Sequence, residues 1–241
     1  MPGDVVAKLT PLRYESAPLR NQIIASLRSA IEMGVLQPGA RLVERDLCEQ
    51  LNVSRTSLRE ALRELQALGV LSSVDNRGLV VGMLTTEEAG NVYSIRAVLE
   101  ALVVGQFVEL ASDEELDQLS GFGQTLKKAY ASGSVERIIK AKRAFYDCIC
   151  TGAQNGMAFD IINGLTLRTS SLRSRSLARK ERQTQSIKEI DAILAAIEAR
   201  NVEAAKGAAA MHVGNAARSA LGEAEAAPAA APIKKVRRRS A

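Results

Sequence analysis

Between residues 17 and 82 the spacing of apolar residues changes character in a fixed order, and that order restricts the fold more than any other feature. Leu19, Ile23, Ile24, Leu27 and Ile31 recur at helical spacing, and Gly34 follows as a stop. Pro38-Gly39 makes a turn. The pattern then predicts a short helix from Val43 to Leu51 and a second from Arg55 to Leu68. "GVLSSVDNRGLVVGM" reads as two short strands, Val70–Val74 and Leu79–Val81, around the turn "DNRG". Three helices and a hairpin in roughly 65 residues are the order of a winged helix-turn-helix.

The texture changes after "MLTTEEA". Thr85 or Thr86, followed by Glu87 and Glu88, starts a helix as an N-cap with first-turn acids. Only helical patterns follow, over 86–110, 113–132, 134–153, 157–178, 181–199 and 201–221. The fold class is therefore mainly α, with an N-terminal winged helix-turn-helix and a C-terminal all-α bundle of six to seven helices. Four segments result: an N-terminal arm at 1–16, the winged helix at 17–82, the bundle at 83–222 and a low-complexity basic tail at 223–241.

Charge excludes one simple account of function. The net charge is +5, but Lys234, Lys235, Arg237, Arg238 and Arg239 supply five cations at the extreme C-terminus with no acid among them. The remainder is neutral, so nucleic-acid affinity must come from local clustering. Aromatic residues are 3% and Trp is absent, against a base-stacking platform. Three cysteines, no export signal and no apolar run of the roughly 20 residues that cross a bilayer predict a cytoplasmic chain with no membrane partner.

The local cluster is at the start of the third helix. Ser54 fits an N-cap, with Val53 and Leu58 placed as a hydrophobic staple. Leu58, Ala61, Leu62 and Leu65 form the buried stripe, which leaves Arg55, Thr56, Ser57 and Arg59 on the outer face. Arginine can bond guanine O6 and N7 together, while hydroxyls and helix-start amides suit phosphate. The other reading is a solvated helix face. It is weakened because the i±4 neighbours of Arg59 are Arg55 and Arg63, so no ion pair along the helix serves it. Arg45 and the hairpin tip Arg77-Gly78 extend the candidate surface.

"LRNQIIASLRSAIEMGVLQPGARLVERDLCEQLNVSRTSLREALRELQALGVL", followed by "NRGLVV", resembles the DNA-binding domain of GntR-type transcription regulators over residues 19–82. The resemblance implies base or phosphate contacts from Arg45, Arg55 and Arg59, and phosphate contacts from Ser54, Thr56 and Ser57. Gly78, at the wing tip, would enter the minor groove. Cys48 stands where the family often has alanine. Residues 86–222 resemble the helical ligand-sensing (FCD) domain of the FadR-like subfamily, on "YSIRAVLEALVV", "AFYDCICTGAQN" and "EIDAILAAIEARNVEAAKGAAAMHVGNA".

Many members of that subfamily bind a metal through one Asp and three His. Here those positions hold Lys142, Tyr146, Ile190 and His212, the sole histidine. Lysine and isoleucine are not ligands and one imidazole makes no zinc or nickel site, so no metal or other cofactor is expected. His212 is open to two roles, a hydrogen-bonded core residue or a wall of a cavity shared with Lys142 and Tyr146. In the second, the ammonium supplies the charge a metal would supply to an acidic effector. Arg96 is likewise open to an ion pair with Glu100 or to an effector carboxylate. "RTSSLRSRSLARKER" reads as a solvated face, with Arg168 and Arg173 as candidates to turn inward. Cys148 and Cys150 diverge by about 200° on a helix and make no pair.

The resulting expectation is a repressor-type regulator, a homodimer on a palindromic double-stranded DNA operator, controlled by a small organic-acid effector. An alternative is a constitutive or architectural DNA binder that has lost sensing. An enzyme is not expected: the chain offers one histidine, no prominent carboxylate pair and no phosphate-binding glycine loop.

Overall fold

A computed structural model describes residues 17–222; the arm at 1–16 and the basic tail at 223–241 lie outside the described residues. The chain divides into two compact units, with the main boundary between Gly82 and Met83.

The first unit contains α1 (Ala17–Glu32), α2 (Glu44–Leu51), α3 (Arg55–Ala67), β1 (Leu71–Val74) and β2 (Gly78–Val81). Its core contains the predicted stripe, Leu58, Ala61, Leu62 and Leu65, together with Ile23, Leu27 and Ile31, all with 3% exposure or less. β1 and β2 pair antiparallel from Leu71↔Val81 to Val74↔Gly78. The turn between them needs a left-handed residue twice, at Asn76 (φ 64°) and Gly78 (φ 73°). One feature was absent from the sequence expectation. Arg41 bridges Val80, and Leu42 N–H donates to the Leu79 carbonyl, so the segment after Pro38-Gly39 extends the small sheet.

The second unit contains α4 (Thr86–Leu110), α5 (Asp113–Ala131), α6 (Val135–Gly152), α7 (Gly156–Arg168), α8 (Ser170–Leu177), α9 (Lys180–Glu198) and α10 (Val202–Leu221). Thr85 and Ser112 each close a capping box, with Glu88 and Glu115. The single helix expected over 157–178 is two. Thr169 breaks it, in a non-helical conformation with its hydroxyl donating back to the Leu165 and Thr166 carbonyls.

α4 runs through the centre, with Val103, Val104, Phe107 and Val108 buried against residues such as Leu126, Phe145, Ile149, Ile190 and Ile193. α10 lies along it. Arg200, at the turn before α10, donates to the Val108 and Ala111 carbonyls and pairs with Asp113, so one guanidinium satisfies the end of α4. By length and composition α4 is apolar enough to cross a membrane, closer to a span than the sequence reading allows. Half of its apolar window is buried in the bundle, and it carries the buried charges Arg96 and Glu100.

Candidate nucleic-acid interface and effector site

In the first unit, the Ser54 hydroxyl oxygen accepts from the Ser57 amide and also bonds the Ser57 hydroxyl, so the N-cap forms as predicted. Arg55, Thr56 and Arg59 are exposed beyond it, and Ser57 is half-buried. Arg59 is not unpaired, as its own helix implies. Its Nε donates to Glu44 Oε2 on α2 at 2.8 Å. The i±4 rule considers one helix, and the acid comes from the next. The contact places the start of α2, and therefore exposed Arg45, beside Arg59. Arg45 itself pairs with Asp46. Arg77 and Gly78 are exposed at the wing tip, and Gln66 Nε2 on α3 donates to Ser73 Oγ on β1, which ties the wing to the helix. From residue 17 to 82 the sequence has eight arginines and seven acids. The face is therefore a local feature of a nearly neutral unit, with hydroxyls and helix-start amides beside two arginines.

In the second unit, five helices bring charged groups into an otherwise apolar core. Arg96 on α4 donates through Nε and Nη2 to Glu100 Oε1, at 3.0 and 2.6 Å, with both residues buried. The ion-pair role left open for Arg96 is thus the one occupied, and its Nη1 has no hydrogen-bond partner among the described residues. Lys142 on α6 is 2.8 Å from His212 Nε2 on α10, and His212 Nδ1 is 2.6 Å from Glu189 Oε2 on α9. A carboxylate only accepts, so Nδ1 carries the proton and Nε2 accepts from the lysine. Glu189 is further held by Arg182 Nη1 at 2.8 Å and Asn215 Nδ2 at 2.5 Å. Tyr146 packs its ring 5.7 Å from Lys142 Nζ.

Electrostatics follow from this geometry. Burial, then the field of Arg173, pushes Lys142 well below the ordinary lysine value, with Arg96 and Arg182 adding to it and Glu100 opposing. Burial and Lys142 together hold His212 to about 4, against the pull of Glu189. Burial works to raise Glu189, but hydrogen bonding to His212 and the charge of Arg182 outweigh it and leave it at about 2. Burial and Arg96 also lower Arg173 on α8, whose Nη1 has no hydrogen-bond partner among the described residues.

Tyr93, Arg96, Lys142, Arg173, Ser176, Leu177, Arg182 and Ala216 line one cavity of about 10 Å³. Of the candidates from sequence, Arg96, Lys142 and Arg173 line it, and Tyr146 and His212 sit directly behind Lys142. Arg168 is elsewhere, with its charge acting on Glu88 at the start of α4. Sequence reasoning missed Tyr93, Arg182 and Glu189 as members. The signal was present on α9: Arg182, Ser186, Glu189, Ile190, Ile193 and Ile197 recur at helical spacing, all buried. Two charges on an apolar stripe mark a paired internal site.

The metal implied by the subfamily does not fit these residues. Ile190 is fully buried in the apolar core, Lys142 takes the Nε2 lone pair, and Glu189 takes Nδ1–H. Among the described residues no three His, Cys, Asp or Glu side chains gather as a metal site. The lysine holds the imidazole from one side and the carboxylate from the other, an arrangement that in metalloproteins has the ion in the lysine's place.

Comparison with known proteins agrees with both units. Residues 19–81 match the family model "Bacterial regulatory proteins, gntR family", and residues 91–215 match the FCD domain. The HTH-type transcriptional regulator YdhC of Bacillus subtilis is 27% identical over 78% of this chain and 85% of its own. The regulator McbR of Escherichia coli is 31% identical over 55% of this chain and 60% of its own. The solved structure of McbR/YncC superposes with a TM-score of 0.76 at 25% identity, covering 86% of this chain and 98% of that one. A gluconate operon transcriptional repressor of Bacillus licheniformis is 26% identical over 60% of this chain and 59% of its own. Fold and relatives are those of transcription regulators, not enzymes. The chain belongs to the gntR family of bacterial regulatory proteins and carries an FCD domain as its C-terminal unit.

Proposed function

We propose that this regulator is a repressor that binds a palindromic operator as a homodimer in the cytoplasm, and that a small organic acid entering the helical unit controls its DNA affinity. The observation that carries the DNA part is the capped, exposed first turn of α3, with Arg55, Thr56 and Arg59 outside an apolar stripe of zero to 3% exposure. A rigid, capped helix start with planar donors is what major-groove readout needs. Ser54, Ser57 and Arg45 flank that turn and serve phosphate, and Arg77-Gly78 reaches along the groove.

The dimer has a candidate surface. Ile95, Val98 and Leu102 are 50%, 70% and 42% exposed and follow one another at helical spacing on α4. Met157 and Ile161 are exposed on α7, which packs against α4. A second copy of this chain, related by a twofold axis, covers such a self-complementary stripe and matches the symmetry of a palindromic site. Sedimentation of Val98→Glu checks it: a dimer that persists undiminished removes this surface.

The effector part rests on the cationic lining of the cavity. Its small volume favours one specific second reading, a constitutive DNA binder that senses nothing. Thermal-shift titration with short organic acids separates the two, since a ligand of the native state raises the melting point. The DNA reading itself is tested with Arg59→Ala. The variant retains the unfolding transition of the bundle and loses sequence-specific footprinting. An unchanged footprint at equal salt would mean that α3 is not the recognition helix.

A further inference from the structure

The cluster around Lys142 contains more cation than it neutralises. Arg96 is matched by Glu100 and Arg182 by Glu189. Lys142 bonds only a ring nitrogen, and the buried Nη1 atoms of Arg96 and Arg173 have no hydrogen-bond partner among the described residues. All three residues border the same cavity, whose about 10 Å³ admits a single water-sized group. One wall is α8, which contributes Arg173, Ser176 and Leu177. This helix is eight residues long, and its N-cap Thr169 gives it no side-chain bond. It is tied to α10 through the Ser176–Ser219 hydroxyl contact and to α9 through the Leu177 carbonyl, which accepts from Gln183 Nε2.

We propose that a small monocarboxylate enters between the Nη1 atoms of Arg173 and Arg96 as α8 moves outward, and that Lys142 takes up one proton from solvent on its Nζ lone pair as the anion binds. The inference rests on the acidic-effector reading above. It adds that the anion's charge is matched by a proton, where metal-bearing relatives of this domain match it with an ion.

The physical basis is a balance of neighbours. Facing Lys142 are Arg96 and Glu100 from α4, Arg173 from α8, Arg182 and Glu189 from α9, His212 from α10 and Tyr146 on its own helix. The nearby Tyr93 and Tyr130 are raised by burial and stay neutral. Three guanidiniums, of which Arg173 also feels Glu32, face two carboxylates away from water and disfavour a fourth cation, and Lys142 is depressed accordingly. One more anion on Arg173 reverses that balance. His212 does not compete for the proton near neutrality, because its own value lies at about 4. Protonated or not, the lysine can keep donating to Nε2, so the change needs no rearrangement of His212 and Glu189.

The test uses the full chain with acetate, then propionate and benzoate, titrated calorimetrically in buffers of different ionisation heat from about pH 6 to 10. Binding takes up close to one proton per carboxylate over part of this range. There the affinity falls about tenfold per pH unit. Lys142→Arg carries a permanent cation, and its carboxylate affinity is flat over the same range. Carboxylate binding with no proton uptake at any pH overturns the inference and leaves the acidic-effector reading intact. An undiminished pH slope in Lys142→Arg also overturns it, because the proton then goes elsewhere. No binding of any of the three carboxylates at any pH removes both.

Discussion

The first turn of α3 and the cluster around Lys142 both collect arginines, yet they place them under opposite conditions. On α3 the charges stand in water, at the end of a capped helix, and their nearest acid can be left behind. In the bundle they are dry: Arg96–Glu100 and Arg182–Glu189 pair within one helix each, and Lys142, His212 and Glu189 link three helices. A solvated charge is cheap to hold and available to an external anion. A buried one is costly unless its neighbours match it, so its ligand has to satisfy an existing balance. One unit presents its charges at its surface, and the other holds them in an internal balance.

The largest effect that sharpens this contrast comes from Arg96→Met. It leaves Glu100 buried without its guanidinium and costs about 3–5 kcal/mol in denaturant unfolding of the bundle. A loss below 1 kcal/mol, by the same scale, places the pair in water and breaks the comparison. Acid should act next. The unfolded chain protonates its histidine near 6.5, whereas folded His212 waits until about 4. Stability contributed by the neutral ring is complete above 6.5 and declines as pH falls towards 4. Glu189 extends the decline, from 4.5 down to about 2. Urea midpoints for His212→Gln then fall less steeply over the upper window than those of the parent chain; equal slopes exclude His212 as the group responsible.

The DNA-side effects are smaller and more local. Ser54→Ala removes the α3 cap and costs about 1 kcal/mol of stability, with operator affinity reduced because the first turn frays; a loss of neither shows the cap to be redundant. Arg77→Ala weakens binding to specific and random DNA alike and lowers the salt slope by about one. A change confined to one base position instead makes the wing a reader of sequence. On the bundle side, elemental analysis of the purified protein returns no stoichiometric zinc or nickel. A bound metal would overturn the positions assigned to Lys142 and Ile190.

The same division governs what could be read in advance. The cap at Ser54, the stripe from Leu58 to Leu65 and the turn at Asn76–Gly78 are decided by residues within one turn or one hairpin of each other. Local spacing therefore reveals them. The Arg59–Glu44 pair escaped because its partners are fifteen residues apart on different helices. The bridge at Arg41 escaped because an isolated β-bridge leaves no alternation to see. In the bundle, Lys142 and His212 were singled out by a family pattern that they violate. Their contact spans seventy residues of chain, and it arises because α6 and α10 both pack on α4. The split at Thr169 was hidden for a different reason, since threonine is tolerated in helices and its back-bond to the preceding turn is a choice made by context.

The Glu44–Arg59 contact carries a further meaning for how the protein searches a chromosome. If α3 is the recognition helix, Glu44 is a counterion bound in advance: while it holds Arg59, that arginine has less to gain from a random phosphate and displaces fewer of the cations condensed on the DNA. A site that offers a better bidentate partner, such as the edge of a guanine, would draw Arg59 away and expose the carboxylate to the backbone's repulsion. On that reading, one acid at the root of α2 would shorten residence on wrong DNA more than on right DNA, and would trade total affinity for a faster search.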